Sequence, residues 1–127
     1  MAEAVVSIGR LRGGRGPGRR APLAGLLQEL DLPVRTLAQA LAIPERTWHR
    51  LKDATVVPAP IADKVARTHD VLARATEVLG SRRAARAWLS RPNPALDGEA
   101  PLALLDTSLG WERVKDVLGR IEHGVPA

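Results

Sequence analysis

From Pro22 onward the apolar residues recur at helical intervals. Leu23, Leu26, Leu27 and Leu30 share one face, and Asp31-Leu32-Pro33 ends the run, so the spacing predicts a short first helix. Val34, Leu37, Ala38 and Leu41 mark a second helix, and beyond the Ala42-Ile43-Pro44 step a third carries Thr47, Trp48 and Leu51. A Val- and Pro-containing linker, Val56 to Pro60, leads into the longest periodic stretch. There Ile61, Val65, Leu72 and Leu79 line one face and Gly80 supplies a stop. Ser81 caps a helix through Trp88 and Leu89. Pro92, Pro94, Asp97-Gly98 and Pro101 then punctuate a loop of about a dozen residues, with a short helix expected from Pro101 to Asp106. The last helix sets Trp111, Val114, Val117, Leu118 and Ile121 at three- and four-residue intervals, pairs Asp116 with Arg120, and stops at Gly124 with Val125 beyond. Nothing alternates with a period of two, so the expected fold is all-α without a strand.

Gly9 to Arg20 is built almost wholly from Gly and Arg and has too little apolar surface to offset its ordering entropy, so a disordered arm is expected. The division that follows is an arm at 1–21, a helical unit at 22–60 and a second at 61–127. A chain of 127 residues holds one compact domain or two small helical units. It contains no Cys, which excludes disulfides and thiolate chemistry. No run of apolar residues is long enough to span a bilayer and no secretory signal opens the chain, so a cytoplasmic protein without membrane association is expected. The net charge of +5 is unevenly spread. Residues 1–20 carry +4, residues 21–81 cancel, residues 82–91 carry +4, and residues 92–127 carry −3. A basic front and an acidic rear point to two different partners, against the plainer reading of a soluble, mixed surface.

Between Val34 and Asp53 the apolar residues sit where two helices packed at a steep angle need them. Leu37, Leu41, Ile43, Trp48 and Leu51 line the inside of the corner, and small Ala38 allows close approach. The outside of the second helix then presents Glu45, Arg46, His49 and Arg50, with Thr47 near its start. Arg46, Thr47, His49 and Arg50 are the candidate DNA contacts, reaching phosphates or base edges in a major groove. The segment resembles the Xre/Cro-type helix-turn-helix, with one departure: Ala42 occupies the turn position where Gly is usual. If that position is left-handed, Ala costs roughly 1 kcal/mol there. The competing reading is an ordinary helical hairpin with no nucleic-acid role. The Arg-rich arm is either a further phosphate contact or a solvated tail. Arg82, Arg83 and Arg86 are either a basic face or the solvent side of an amphipathic helix.

Trp88-Leu89-Ser90-Arg91-Pro92-Asn93-Pro94-Ala95-Leu96-Asp97-Gly98 is followed by Pro101-Leu102-Ala103-Leu104-Leu105-Asp106-Thr107 and then by Leu118-Gly119-Arg120-Ile121-Glu122-His123-Gly124. These stretches resemble, in order, the toxin-binding domain shared by the Xre, MbcA and ParS antitoxins. With the upstream helices, the resemblance covers roughly residues 22–127. It implies an all-α type II antitoxin: a helix-turn-helix unit followed by a small helical toxin-binding domain. It also implies a RES-domain, NAD-consuming toxin as partner, held inactive by direct complex formation, and repression of the antitoxin's own operon at an operator DNA. A homodimer and a hetero-oligomer with the toxin are expected, with interfaces of about 800 Å² per partner. The toxin-binding candidates are Pro92, Asn93, Pro94, Asp106, Glu122, His123, Gly124 and Val125.

Two prolines restrict the 92–94 loop before any docking, and Asn93 either orders that loop or touches the partner. Asp106, Glu112, Asp116 and Glu122 make the rear acidic, as suits a pocket that accepts NAD phosphates or simply a solvated helix face. Helical phase assigns Trp88 and Trp111 to core packing. His49, His69 and His123 are scattered, without ligand spacing or a neighbouring nucleophile, so neither an enzyme nor a metal or other cofactor is expected. His123 is positioned to meet the carbonyls that end the last helix. The alternative from another class is a free-standing helix-turn-helix transcription regulator whose C-terminal helices only dimerise.

Overall fold

The computed structural model describes residues 19–20 and 23–124, and over these the chain is mostly helical, as the apolar spacing predicts. The elements are β1 (Arg19–Arg20), α1 (Leu23–Leu30), α2 (Val34–Leu41), α3 (Glu45–Leu51), β2 (Val56–Val57), α4 (Ala59–Leu79), α5 (Arg82–Ser90), two 3₁₀ turns at Pro94–Leu96 and Pro101–Leu104, and α6 (Ser108–Glu122). One small feature departs from expectation. Arg19–Arg20, the end of the expected arm, pair antiparallel with Val56–Val57, with Arg19 opposite Val57 and Arg20 opposite Val56. Two residues per strand are too few for alternation to register in a sequence. The rest of the arm lies outside the described residues.

The chain divides into two compact units, residues 1–39 with 43–66 and residues 40–42 with 67–127. In the first, α1 buries Leu23, Leu26 and Leu30, α2 buries Leu37 and Ala38, and α3 buries Trp48 and Leu51. Pro33 and Pro44 open α2 and α3, their carbonyls accepting from the Leu37 and Trp48 N–H groups at 3.2 and 3.0 Å. Helix α1 closes on Asp31 at φ 55°, whose N–H donates to the Leu27 carbonyl at 2.9 Å. Helix α2 closes on Ala42 at φ 54°, and the Ile43 N–H reaches back to the Ala38 carbonyl at 3.0 Å. That is a Schellman closure, sealed by the buried pair Ile43 and Ala38. Ala42 therefore holds a left-handed backbone that a Cβ disfavours.

In the second unit, α4 contributes buried Val71, Leu72 and Ala75, α5 contributes Ala85 and Leu89, and α6 contributes Val114, Val117 and Leu118. The Pro101–Leu104 turn packs against both α5 and α6, and the Pro94–Leu96 turn packs against α6. Leu96, Leu102 and Leu105 thereby fill the space that a longer helix would leave open. The expected helix at Pro101–Asp106 is a 3₁₀ turn instead, because Leu105 already turns out of the helix at ψ 0° and hands over to the Thr107 cap of α6. Thr107 accepts from the Gly110 N–H at 3.1 Å through its hydroxyl. Gly110 is buried against the Leu104 carbonyl, and a Cβ there would fall far inside van der Waals contact with that oxygen.

Trp111 departs from its expected place in the core. It lies half-buried on the flank of α6, to one side of the stripe formed by Gly110, Val114, Val117 and Leu118. Its indole Nε1 donates to Asp70 Oδ2 at 2.9 Å, which answers the need of a Trp N–H for a partner. Trp88 is also half-buried rather than enclosed. Asp116 and Arg120 form no ion pair among the described residues; α6 instead pairs Lys115 with Glu112 at 3.8 Å.

Two substitutions test these closures. Ala42→Gly should raise stability by about 1 kcal/mol in a urea titration, since it removes the left-handed penalty and leaves every side-chain contact in place. Gly110→Ala should lower stability by about 2 to 3 kcal/mol, because the Leu104 carbonyl must move; an unchanged midpoint would mean that the approach is not tight.

Candidate functional site

The exposed side of α3 carries Glu45, Arg46, His49 and Arg50, while Trp48 and Leu51 point inward and Thr47 is half-buried. Alternation of this kind follows from the helical period, which sets Trp48 and Leu51 three residues apart on one face. Glu45 sits in the first turn, 3.9 Å from both Arg35 Nε and His49 Nε2, so part of its charge is answered locally. The side chains of Arg46 and Arg50, four residues apart, have no hydrogen bond or ion pair among the described residues. Of the four candidates, Arg46, His49 and Arg50 thus reach solvent and Thr47 does so only in part. The Trp48 indole N–H is fully buried without a partner among the described residues, a desolvation cost carried on the inner face of this same helix.

The proline loop is a self-braced structure built on Asn93. The Asn93 side-chain oxygen accepts from the Ala95 N–H at 2.9 Å. Its carbonyl accepts from Leu96 and Gly98, both at 2.9 Å, and its N–H donates to the Glu99 carbonyl at 3.0 Å. Asp97 and Gly98 take successive left-handed conformations, φ 57° and 84°, which folds the chain back to Glu99. Asn93 therefore orders the loop, and this bonding leaves Pro92 and Pro94 exposed on either side of it. Asp97 is tied to Arg113 of α6 at 3.1 Å.

The other toxin-binding candidates fall elsewhere in the unit. Asp106 is half-buried, and its backbone carbonyl and that of Leu105 accept from Arg67 Nη2 and Nε, each at 3.0 Å. Glu122 pairs with Arg74 of α4 at 2.8 Å. His123 is exposed, and it is its backbone N–H, not the imidazole, that meets a terminal carbonyl, that of Gly119 at 3.1 Å. Gly124 turns the chain out at φ 72°, and Val125 lies outside the described residues. The two groups are anchored apart: Arg113, which holds the loop, and Glu122 lie about 13 Å from one another along α6 at the helical rise. Arg67, Asp70 and Arg74, which organise this unit from α4, carry no local motif and were not legible as site residues.

Between α4 and α6 lies an open cleft of about 460 Å³ lined by Asp70, Arg74, Trp111, Glu112, Lys115 and Asp116. The Lys115 ammonium stands 3.6 Å from the Trp111 ring centroid, and Asp70 holds the indole from the other edge. Of the carboxylates of the rear, Asp97 and Glu112 are paired with Arg113 and Lys115 of the same segment, and Glu122 is answered from outside it by Arg74. Leu109, at the start of α6, is 73% exposed and is the one large apolar side chain so placed among the described residues. Among those residues no group of three or more His, Asp or Glu is arranged to hold a metal ion, and no helix is long and apolar enough to cross a membrane.

Residues 74–124 match the family model of the antitoxin Xre/MbcA/ParS C-terminal toxin-binding domain. The chain is 33% identical over 98 residues to an antitoxin Xre of Yersinia enterocolitica, covering 75% of this chain and 66% of that protein. It is 32% identical over 105 residues to an antitoxin Xre of Pseudomonas putida, covering 83% and 60%. A third antitoxin Xre, from Photorhabdus laumondii, is 34% identical over 65 residues, covering 50% and 44%. The matched region begins in α4 and takes in the Asn93 loop, the Leu104–Gly110 approach and all of α6.

Asn93→Ala should lower stability by about 1 kcal/mol through loss of the side-chain acceptor, whereas Asn93→Asp, which keeps an acceptor oxygen, should stay close to the parent. Thermal melts of the two variants check this; equal losses would remove the role assigned to that oxygen.

Proposed function

Because this chain belongs, through residues 74–124, to the Xre/MbcA/ParS antitoxin C-terminal toxin-binding domain family, we propose that it is a type II antitoxin whose second unit binds and occludes a toxin. The partner is a RES-domain enzyme that consumes NAD. The observation that carries this reading is that the matched residues build a preformed module. The Asn93 loop is closed on itself by four hydrogen bonds, so Pro92 and Pro94 have little conformational freedom to lose on docking. The end of α6, with Glu122, His123 and Gly124 exposed, forms the second contact, and it is the part that reaches toward the toxin's active-site entrance. Leu109 adds an apolar contact of the kind that anchors a protein interface.

The first unit is a helix-turn-helix that represses the antitoxin's own operon. Support for this comes from the Ala42 closure, which sets α3 after α2 through a three-residue turn, and from the outward arginines Arg46 and Arg50, whose side chains have no partner among the described residues. Such a protein binds paired half-sites as a homodimer. It inhibits by covering another protein's site and needs neither a catalytic group nor a cofactor of its own. The chain acts in the cytoplasm, where its operator and its toxin are found.

Since Val114, Val117 and Leu118 belong to the core, removing α6 would unfold the second unit, and the informative truncation ends at Glu122. Co-expression with a RES-domain toxin from the same genome should restore growth for the full chain and fail for the chain ending at Glu122. R46A/R50A should rescue growth like the parent and lose operator retardation in a gel. Full rescue by the truncated chain would displace inhibition from the end of α6, and unaltered retardation by R46A/R50A would remove α3 from the operator.

A further inference from the structure

Helix α5 concentrates positive charge in a way that neither proposed site uses. Residues 82–91 hold Arg82, Arg83, Arg86 and Arg91 and no acidic side chain. At 100° per residue, Arg82, Arg86, Ser90 and Arg83 fall within a single arc of about 100°. Arg86 is four residues from Arg82 and three from Arg83, spacings that bring side chains within about 5 to 6 Å at their bases. Arg82, Arg83 and Arg91 are exposed, Arg86 is half-buried, and Ala85 and Leu89 face the core.

The fold gains little from Arg82, Arg83 and Arg91. Arg82 and Arg83 occupy the first turn, where positive charge opposes the helix dipole, and each is within reach of Arg86, a like charge. Arg82, Arg83 and Arg91 have no hydrogen bond or ion pair from their side chains among the described residues. The next carboxylate along the chain, Asp97, is already paired with Arg113. Ser81 caps the helix without help from the arginines, accepting from the Ala84 N–H at 3.0 Å.

We infer that the arginine face of α5, together with Arg91 at the C-cap of that helix, is a docking surface for the phosphate backbone of duplex DNA, lying in the toxin-binding unit and independent of base sequence. Charge complementarity selects the occupant. Guanidinium groups match phosphate oxygens in geometry as well as charge. The arc also lacks an exposed apolar or aromatic side chain, the kind of anchor on which a protein interface depends, whereas backbone contacts need only the cations. This goes beyond the operator reading of α3 and does not require it.

The test is fluorescence anisotropy of a labelled random-sequence duplex of about 30 base pairs with the full chain across a range of salt, the slope of log K against log salt being the readout. R82Q/R83Q/R91Q should reduce that slope by about 2 to 3 and weaken binding at least tenfold at low salt, with unchanged circular dichroism. R113Q/K115Q/R120Q removes the same charge from α6 and should keep the parent slope. R46A/R50A should leave the α5 contribution to the slope in place. The inference is overturned if the parent does not bind the duplex, if R82Q/R83Q/R91Q keeps the full slope, or if both triple variants lower it equally. Loss of binding confined to R46A/R50A would also overturn it, while leaving α3 as the DNA contact. Loss of toxin neutralisation with intact duplex binding in R82Q/R83Q/R91Q would assign the surface to the protein partner instead.

Discussion

The second unit depends on how the chain passes from the Pro101–Leu104 turn into α6. Two carbonyls, those of Leu105 and Asp106, point away from any regular hydrogen-bonding ladder at this step, and Arg67 meets both with one guanidinium. A charged donor on a neutral carbonyl is worth more than an amide, and the rigid fork fixes both oxygens at once. With that step held, Thr107 caps α6 and Gly110 admits the Leu104 carbonyl. The start of α6 then sets its phase, which turns Val114, Val117 and Leu118 inward and leaves Trp111 on the flank. Arg67 is thus the residue through which α4 determines where the end of α6, and any contact made there, is presented.

Much of this was legible from the chain alone, for reasons that differ by element. The helices follow from apolar spacing, and their ends from Pro33, Pro44, Gly80 and Ser81, because capping and breaking are local events. The left-handed turn at Ala42 was legible only as a condition on its backbone, since Ala does not announce that conformation as Gly would. Asn93 was open between ordering the loop and meeting a partner, and its hydrogen bonds assign the first role. Periodicity places Trp111 in the core because it counts the residue as apolar, whereas its N–H and its position beside the stripe favour Asp70 and a half-wet flank. Arg67, Asp70 and Arg74 were out of reach, because their partners are about 40 to 50 residues away and no periodic pattern encodes a tertiary ion pair.

Charge is sorted by element more than by segment. The carboxylates that make residues 92–127 acidic include Asp97, Glu112 and Glu122, each answered by a cation of the same unit. Arg82 and Arg83 of α5, and Arg91 at its C-cap, are not answered in this way among the described residues. The net charge of a segment therefore misstates what its surface offers: half of the carboxylates of the acidic rear are bound up in ion pairs, while Arg82, Arg83 and Arg91 keep their field for a partner.

The aromatic economy of the chain gives it a built-in optical reporter. With no Tyr and no Phe, near-ultraviolet absorption and emission come from three indoles in unlike settings. Trp48 is dry and enclosed in the first unit, Trp88 is half-wet on α5 to one side of the arginine arc, and Trp111 lies under an ammonium group on α6. Helices α3, α5 and α6 thus each carry their own chromophore, and engagement of one need not disturb the light from the others.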